Sequence, residues 1–214
     1  MFRKITMLGG IATLIGGSLL VGSAGAAGPP PIDATHYAIK CDTFTKATAG
    51  FKPSLVTGGA LPDAIKIKGT LSGCIATPDG ANPAVTVVSG SVSGLLNAAN
   101  NDCLSLLGAS TAAGPLTIKW KTVEKLVSAT TTITVTSGDV VGGTLAPFGD
   151  AATYGSFNIA GTTQTGPFSG PSGTGAASFT KALTVEGFNA LLGFCNDPKG
   201  LKAVNFGSTE ISLG

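Results

Sequence analysis

The sequence predicts an all-β protein: a single two-layer β-sandwich with two short helices and two disulfides. Segments of two-residue alternation recur along the chain, most clearly at residues 64–74. There Ile65, Ile67 and Leu71 fall on one side and Lys66, Lys68, Thr70 and Ser72 on the other. The composition points the same way, with 32 glycines, many threonines and valines, and a hydrophobic content of 43%. The third observation is an even set of cysteines, Cys41, Cys74, Cys103 and Cys195, with no C-x-x-C pair among them.

The N-terminus reads as a secretory signal. Two cations, Arg3 and Lys4, precede an apolar, Gly-rich run from Ile5 to Val21, and small residues follow at Ser23 to Ala27. Cleavage is expected after Ala26, with Ala27 the runner-up, so residues 1–26 form the signal peptide. A membrane anchor is the competing reading, and the glycines of the run weaken it as a spanning helix. No cysteine follows the run, which argues against a lipoprotein anchor, and Arg3-Lys4 is not a twin arginine, so the general export route is expected. Of the 13 cations, Arg3 and Lys4 leave with the signal, so the remaining cations equal the 11 anions in number and include no arginine. A basic stripe for nucleic acid is not expected from such a chain, and the side chain best suited to paired bonds with phosphate is missing.

Residues 27–35 form a Pro-rich leader: Gly28-Pro29-Pro30-Pro31 is stiff, extended and unable to join a sheet interior. The domain proper is read as residues 36–214. Its first strand is expected over 36–43, where Tyr37, Ile39 and Cys41 alternate with polar neighbours. Turns are expected at 52–54, 56–59 and 77–80, the last with proline and glycine in their preferred places. Residues 85–92 carry valines on both faces, Val85 and Val87 against Val88 and Val92, which suggests a strand covered on both sides. A short helix is expected within 97–108, where Cys103, Leu104 and Leu107 share a face and Asn100 or Asn101 caps the start.

Strands follow at 116–123 and 130–137. Leu116, Ile118 and Trp120 point inward from the first, Ile133 and Val135 from the second. A turn at 139–143 and a short strand at 155–160 come next. Residues 161–177, rich in Gly, Pro, Ser and Thr, read as a long exposed connection. The second helix is expected over 184–195, where Phe188, Leu191, Leu192 and Cys195 make one stripe, and Asp197-Pro198 stops it. The chain closes as a hairpin, 201–206 and 209–213, about a Gly207-Ser208 turn.

The cysteines allow three pairings. A zinc site is a poor alternative, given their wide spacing and a single histidine. Cys41 and Cys74 end two early strands that are candidates for sheet neighbours. Cys103 and Cys195 each stand on a helix-like segment followed by strands. The preferred pairs are therefore Cys41 with Cys74 and Cys103 with Cys195. The first pair has a condition: counting by twos from Ile65 places Cys74 on the polar side, so the strand must end or bulge at Gly73.

The segments C-D-T-F-T at Cys41, F-K-P-S-L, I-K-G-T-L-S-G-C, N-D-C-L-S-L-L-G with L-T-I-K-W, and the late L-L-G-F-C resemble a group of exported, uncharacterised β-rich proteins of actinobacterial type. The resemblance spans most of the chain after the signal and rests on strand ends, turns and cysteines. It implies export and a disulfide-tied all-β domain, and it carries no catalytic residue over.

Motifs for chemistry are sparse. His36 is the only histidine, and no spacing names a partner for it. There is no Gly-x-Ser-x-Gly elbow. The carboxylates Asp63, Asp79, Asp102, Asp139, Asp150 and Asp197 sit mostly beside Gly, Pro or Asn, where turn hydrogen bonds explain them. Trp120, in phase with Leu116 and Ile118, is read as core rather than as a sugar-stacking platform. Lys66 and Lys68 are the wetted face of a strand.

No catalytic residue, cofactor or metal is expected. The expectation is a non-enzymatic protein, secreted or associated with the cell envelope, that acts through surface binding or a structural role. Its partner is an unknown extracellular or envelope component, without nucleic acid and without a membrane span once the signal is removed. Two alternatives stand beside it: a binder of a small apolar ligand between the sheets, and, weaker, a secreted hydrolase. An outer-membrane barrel is disfavoured by scarce aromatics and internal disulfides.

Overall fold

The structure is a computed structural model that describes residues 28–103, 111–136, 140–141, 156–159, 163–171, 177–182, 192–205 and 210–214. Its strands are β1 (Ala38–Leu55), β2 (Asp63–Thr77), β3 (Val87–Ala98), β4 (Gly114–Thr122), β5 (Thr130–Val135), β6 (Val140–Val141), β7 (Ser156–Ile159), β8 (Thr163–Thr165), β9 (Ala177–Ala182), β10 (Leu201–Asn205) and β11 (Glu210–Leu213). They pair antiparallel in the order β6-β7-β9-β11-β1-β2-β3-β4-β5-β8, with β10 also on β1. All-β and two disulfides are therefore right. The strands belong to one continuous curled sheet, however, rather than to two separate layers.

The curl closes through backbone bonds. After β8 the chain returns to the residues that lead into β1: Phe168 N donates to Ala34 O (2.8 Å), Ser169 N to Thr35 O (3.1 Å) and Gly170 N to Tyr37 O (2.9 Å). Gly170, at φ +80°, packs against Gly214 so tightly that a Cβ on it would lie 2.7 Å from the Gly214 carbonyl carbon. Glycine fits both the angle and the space.

The concave side holds the core. Tyr37, Leu71, Ile118, Ile133 and Phe168 are completely buried there, with Val92, Leu116 and Ile211 around them. Phe168 meets Trp120 edge-on, 5.0 Å between ring centres, the arrangement favoured by the aromatic quadrupole. Trp120 Nε1 donates to Thr131 Oγ1 (2.8 Å), and that hydroxyl donates to Pro167 O (2.5 Å), so the polar atoms enclosed with the ring are satisfied. Trp120 is a core residue, as its phase indicates. Room for it comes from Gly90, the residue directly opposite on β3, where a Cβ would stand 2.6 Å from the indole.

A second cluster, Ala49, Phe51, Leu55, Cys103, Cys195 and Leu201, continues from the first through Ile65 and Ile67, which touch both. The structure forms the two expected disulfides, Cys41–Cys74 and Cys103–Cys195. The first lies on the main core and the second in this smaller cluster.

Several sequence expectations are corrected. The first strand runs on to Leu55 and takes in 52–54, because Phe51 and Leu55 still find apolar partners there. The strand near Val88 is not covered on both faces. A register shift between Val87 and Ser89 throws Val88 outward, to 49% exposure, while Val92 stays inside. Residues 161–177 are not simply an exposed connection, since β8 and the buried Gln164, Phe168 and Ser169 lie in them.

The closing segments are not a hairpin. Both β10 and β11 run antiparallel to β1, and so in the same direction as each other, one after the other along a single edge of that strand. The long β1 rewards this arrangement, since it offers pairing positions for both. Of the two helices, residues 192–196 are helical and stop before Asp197-Pro198. Asn97 and Ala98 still belong to β3, and residues 104–108 and 184–191 lie outside the described residues. So do Asp139, Asp150, the Gly207-Ser208 pair, most of the expected 139–143 turn and the expected signal segment.

Candidate functional site

The residues considered for chemistry are occupied structurally. His36 is exposed, with Nδ1 donating to Pro171 O at 3.1 Å. The acid nearest to it in sequence, Asp33, accepts from Thr35 N (3.0 Å) and Thr35 Oγ1 (2.6 Å), and these bonds hold its carboxyl below the usual aspartate range. Asp102 Oδ1 accepts from Gly58 N (3.0 Å) and Asp197 Oδ1 from Lys199 N (2.7 Å), both in loop geometry. The carbonyl of Asp79 accepts from Asn82 Nδ2 (2.6 Å), and Gly80 takes φ +61° in the expected turn. Among the described residues no group of three His, Cys, Asp or Glu is placed to hold a metal ion.

Asp63 departs from the turn reading. It begins β2 and is only 3% exposed. Oδ1 accepts from Lys52 N (2.8 Å), whereas Oδ2 has no partner. Burial pushes its carboxyl above the ordinary value, against the opposing pull of the Lys52 and Ala64 amides. Asn101, equally enclosed, accepts from Leu61 N (3.0 Å) and donates through Nδ2 to Ser54 O (2.9 Å). It ties the end of β1 to the loop before β2. Both side chains secure the end of the sheet near the Cys103–Cys195 bond.

An open groove of about 900 Å³ lies between the leader and the loops flanking β3 and β4, lined by Pro29 to Asp33, Tyr37, Pro83, Val123 and Lys125. The leader is anchored beside it: Ile32 N donates to Lys125 O (2.8 Å) and Val127 N to Ile32 O (2.9 Å). Tyr37 donates to Pro83 O (2.6 Å), and Glu124 receives Thr86 N (2.6 Å) and Thr86 Oγ1 (3.1 Å). The amide of Thr86 is the main reason the Glu124 carboxyl is held below its ordinary value.

The convex face carries rows of hydroxyls and lysines, with Val88 and Leu95 also exposed on β3. Directly opposed residues of antiparallel strands share a face, so the register lines up the outward side chains. Thr48, Lys68, Ser93, Thr117, Thr132 and Thr165 form one row across β1, β2, β3, β4, β5 and β8. The next row holds Thr45, Thr70, Ser91, Lys119 and Thr130. Lys66 faces Leu95 on one flank, and Lys121 faces Ser89 on the other. All four lysines are exposed, and no outward position of β2 to β5 carries a carboxylate, since Asp63 is buried. Lys66 and Lys68 are on the wetted face, as the alternation indicates. Their assembly with Lys119 and Lys121 needed the register, because the two pairs are about fifty residues apart in sequence; β3 alone separates their strands, and Lys68 and Lys119 stand in adjoining rows, roughly 12 Å apart by two strand spacings and two residues of rise.

Among the described residues no helix is long and apolar enough to cross a membrane. No protein-family model matches the chain, and no curated protein or solved structure matches it either.

Proposed function

We propose that this chain is an exported, non-enzymatic protein of the actinobacterial type it resembles, secreted or held at the cell envelope, which acts through its outer surface. The observation that carries this reading is the convex face, where four lysines stand among serine and threonine hydroxyls with no carboxylate on the outward positions of β2 to β5. Two formed disulfides suit an oxidising compartment outside the cytoplasm. The bonds already made by His36, Asp33, Asp102 and Asp197 favour a structural over a catalytic role for each.

Mass spectrometry of protein recovered from culture medium and from envelope fractions, unreduced and reduced, tests the reading. A mature N-terminus at Ala27 with two intact disulfides is expected. An uncleaved Met1 with four free thiols in the cytoplasmic fraction would overturn it.

A second reading has one observation in its favour. The groove beside the leader is large enough for a small, largely apolar molecule. It differs from the site expected between the sheets, because Phe168, Trp120 and Tyr37 fill the concave side. A Val123→Asp variant that leaves ligand capture unchanged would exclude the groove.

A further inference from the structure

We infer that the convex face binds an extended acidic polysaccharide, with carboxylates on the lysines and sugar hydroxyls on the serine and threonine rows. This rests on the surface-acting reading above and goes further by naming the chemistry of the partner. Three features select it. Lys66, Lys68, Lys119 and Lys121 place positive charge on a face whose β2 to β5 positions present no acid, so an anion is favoured and a cation repelled. Between and beside the lysines, Ser93, Thr117 and Thr132 recur at one strand spacing, about 4.8 Å, with Ser91 in the adjoining row, offering both donors and acceptors to a hydroxyl-rich chain.

The third feature is shape and composition. The face is the outside of a curled sheet, so an extended chain can follow a row that a flat bilayer meets along only part of its length. No aromatic side chain stands among these outward positions to stack on nucleic-acid bases, and no arginine is present after the signal to fork onto phosphate. Lysine suits an isolated carboxylate on each sugar, because it is a point charge on a flexible stem.

Affinity electrophoresis and titration calorimetry on the oxidised mature protein test this, with polygalacturonate as the acidic glycan, dextran as the neutral one, single-stranded DNA and phosphatidylglycerol vesicles. The expected result is retardation by polygalacturonate, none by dextran, and weakening as salt rises past about 0.15 M, where exposed charges are screened beyond roughly 8 Å. Replacing Lys66, Lys68, Lys119 and Lys121 together by Gln is expected to weaken binding about tenfold, the combined effect of four exposed charge contacts. Lys199→Gln, outside the strands of this face, leaves it unchanged. Ser91→Ala with Ser93→Ala weakens glycan binding while retaining all charge, and the thermal midpoint of each variant reports that it is folded.

No retardation by polygalacturonate, or equal retardation of the four-lysine variant, overturns the inference. So does tighter binding to DNA or to vesicles than to the glycan. A protein that is exported and disulfide-bonded yet ignores polygalacturonate loses only this inference. A protein retained reduced in the cytoplasm loses the underlying reading, whatever it binds in vitro.

Discussion

Cys41 and Cys74 stand directly opposite each other across β1 and β2, both turned toward the core, one residue beyond a Gly73 held at φ +62°. The pairing register runs unbroken from Cys41–Cys74 through Thr43–Ser72 to Phe44–Leu71. What changes is the face. Leu71 points inward on odd numbering and Cys74 on even numbering, with Gly73 and Ile75 exposed between and beyond them. The left-handed glycine reverses the inward phase without inserting a residue, and so meets the condition on which the disulfide depended.

Gly73 is therefore expected to resist substitution. Gly73→Ala would hold an L-residue in the left-handed region at a cost of roughly 1–2 kcal/mol. Urea unfolding of the oxidised protein measures it. A loss of only a few tenths would mean the strand passes Gly73 without reversing its phase.

Phe168 carries the closure of the curl, from a segment whose composition looks like loop. Phe168→Ala should cost about 3–5 kcal/mol, the range for emptying a core phenylalanine site. Trp120 fluorescence should shift in the folded variant, since the ring edge that packs on the indole is gone. Phe168→Leu should recover much of the stability.

The two disulfides should differ in weight. Cys103 and Cys195 enclose a separation of 92 residues and Cys41 and Cys74 one of 33. Loop-closure entropy then makes the longer tie worth about 1 kcal/mol more, each bond being worth roughly 4 kcal/mol. Paired Cys→Ser variants, compared by denaturant midpoint, check the order. A larger loss from the Cys41–Cys74 pair would show that native packing outweighs chain entropy.

Asp63 gives a pH signature. Burial raises its folded pKa above the unfolded value, so its contribution favours the fold below about pH 4, the ordinary aspartate range, and is lost as pH rises through the folded pKa. Asp33 and Glu124, whose carboxyls are held low, act in the opposite sense: their contribution is present above their unfolded values and is lost in acid. Subtracting the stability of Asp63→Asn from that of the native protein across pH 3–7 cancels those two. The difference should fall as pH rises; a flat difference would mean that Asp63 is solvated in the fold.

Much of the local structure was legible because alternation and cysteine count are local or additive signals. Leu116, Ile118 and Trp120 against Thr117, Lys119 and Lys121 state their faces outright, and the preferred cysteine pairs are those that form. Phe168 was not legible, since a single aromatic among Gly, Pro and Ser shows no period. The hairpin about Gly207-Ser208 was misread because turn-like residues do not reveal whether the next strand finds a new neighbour or continues along the old one.

The surface proposed to bind glycan shows the same division. The sequence by itself determined that Lys66 and Lys68, and likewise Lys119 and Lys121, would be wetted, because side chains alternate with period two along any strand. Only the tertiary structure decided that β3 lies between β2 and β4 and in what register. That pairing rests on hydrogen bonds and side-chain packing between segments distant in the chain, and it makes two short lysine patterns one cationic face. At Gly73, too, the residue was visible in the sequence, but its left-handed angle is imposed by the need to turn both cysteines toward one core.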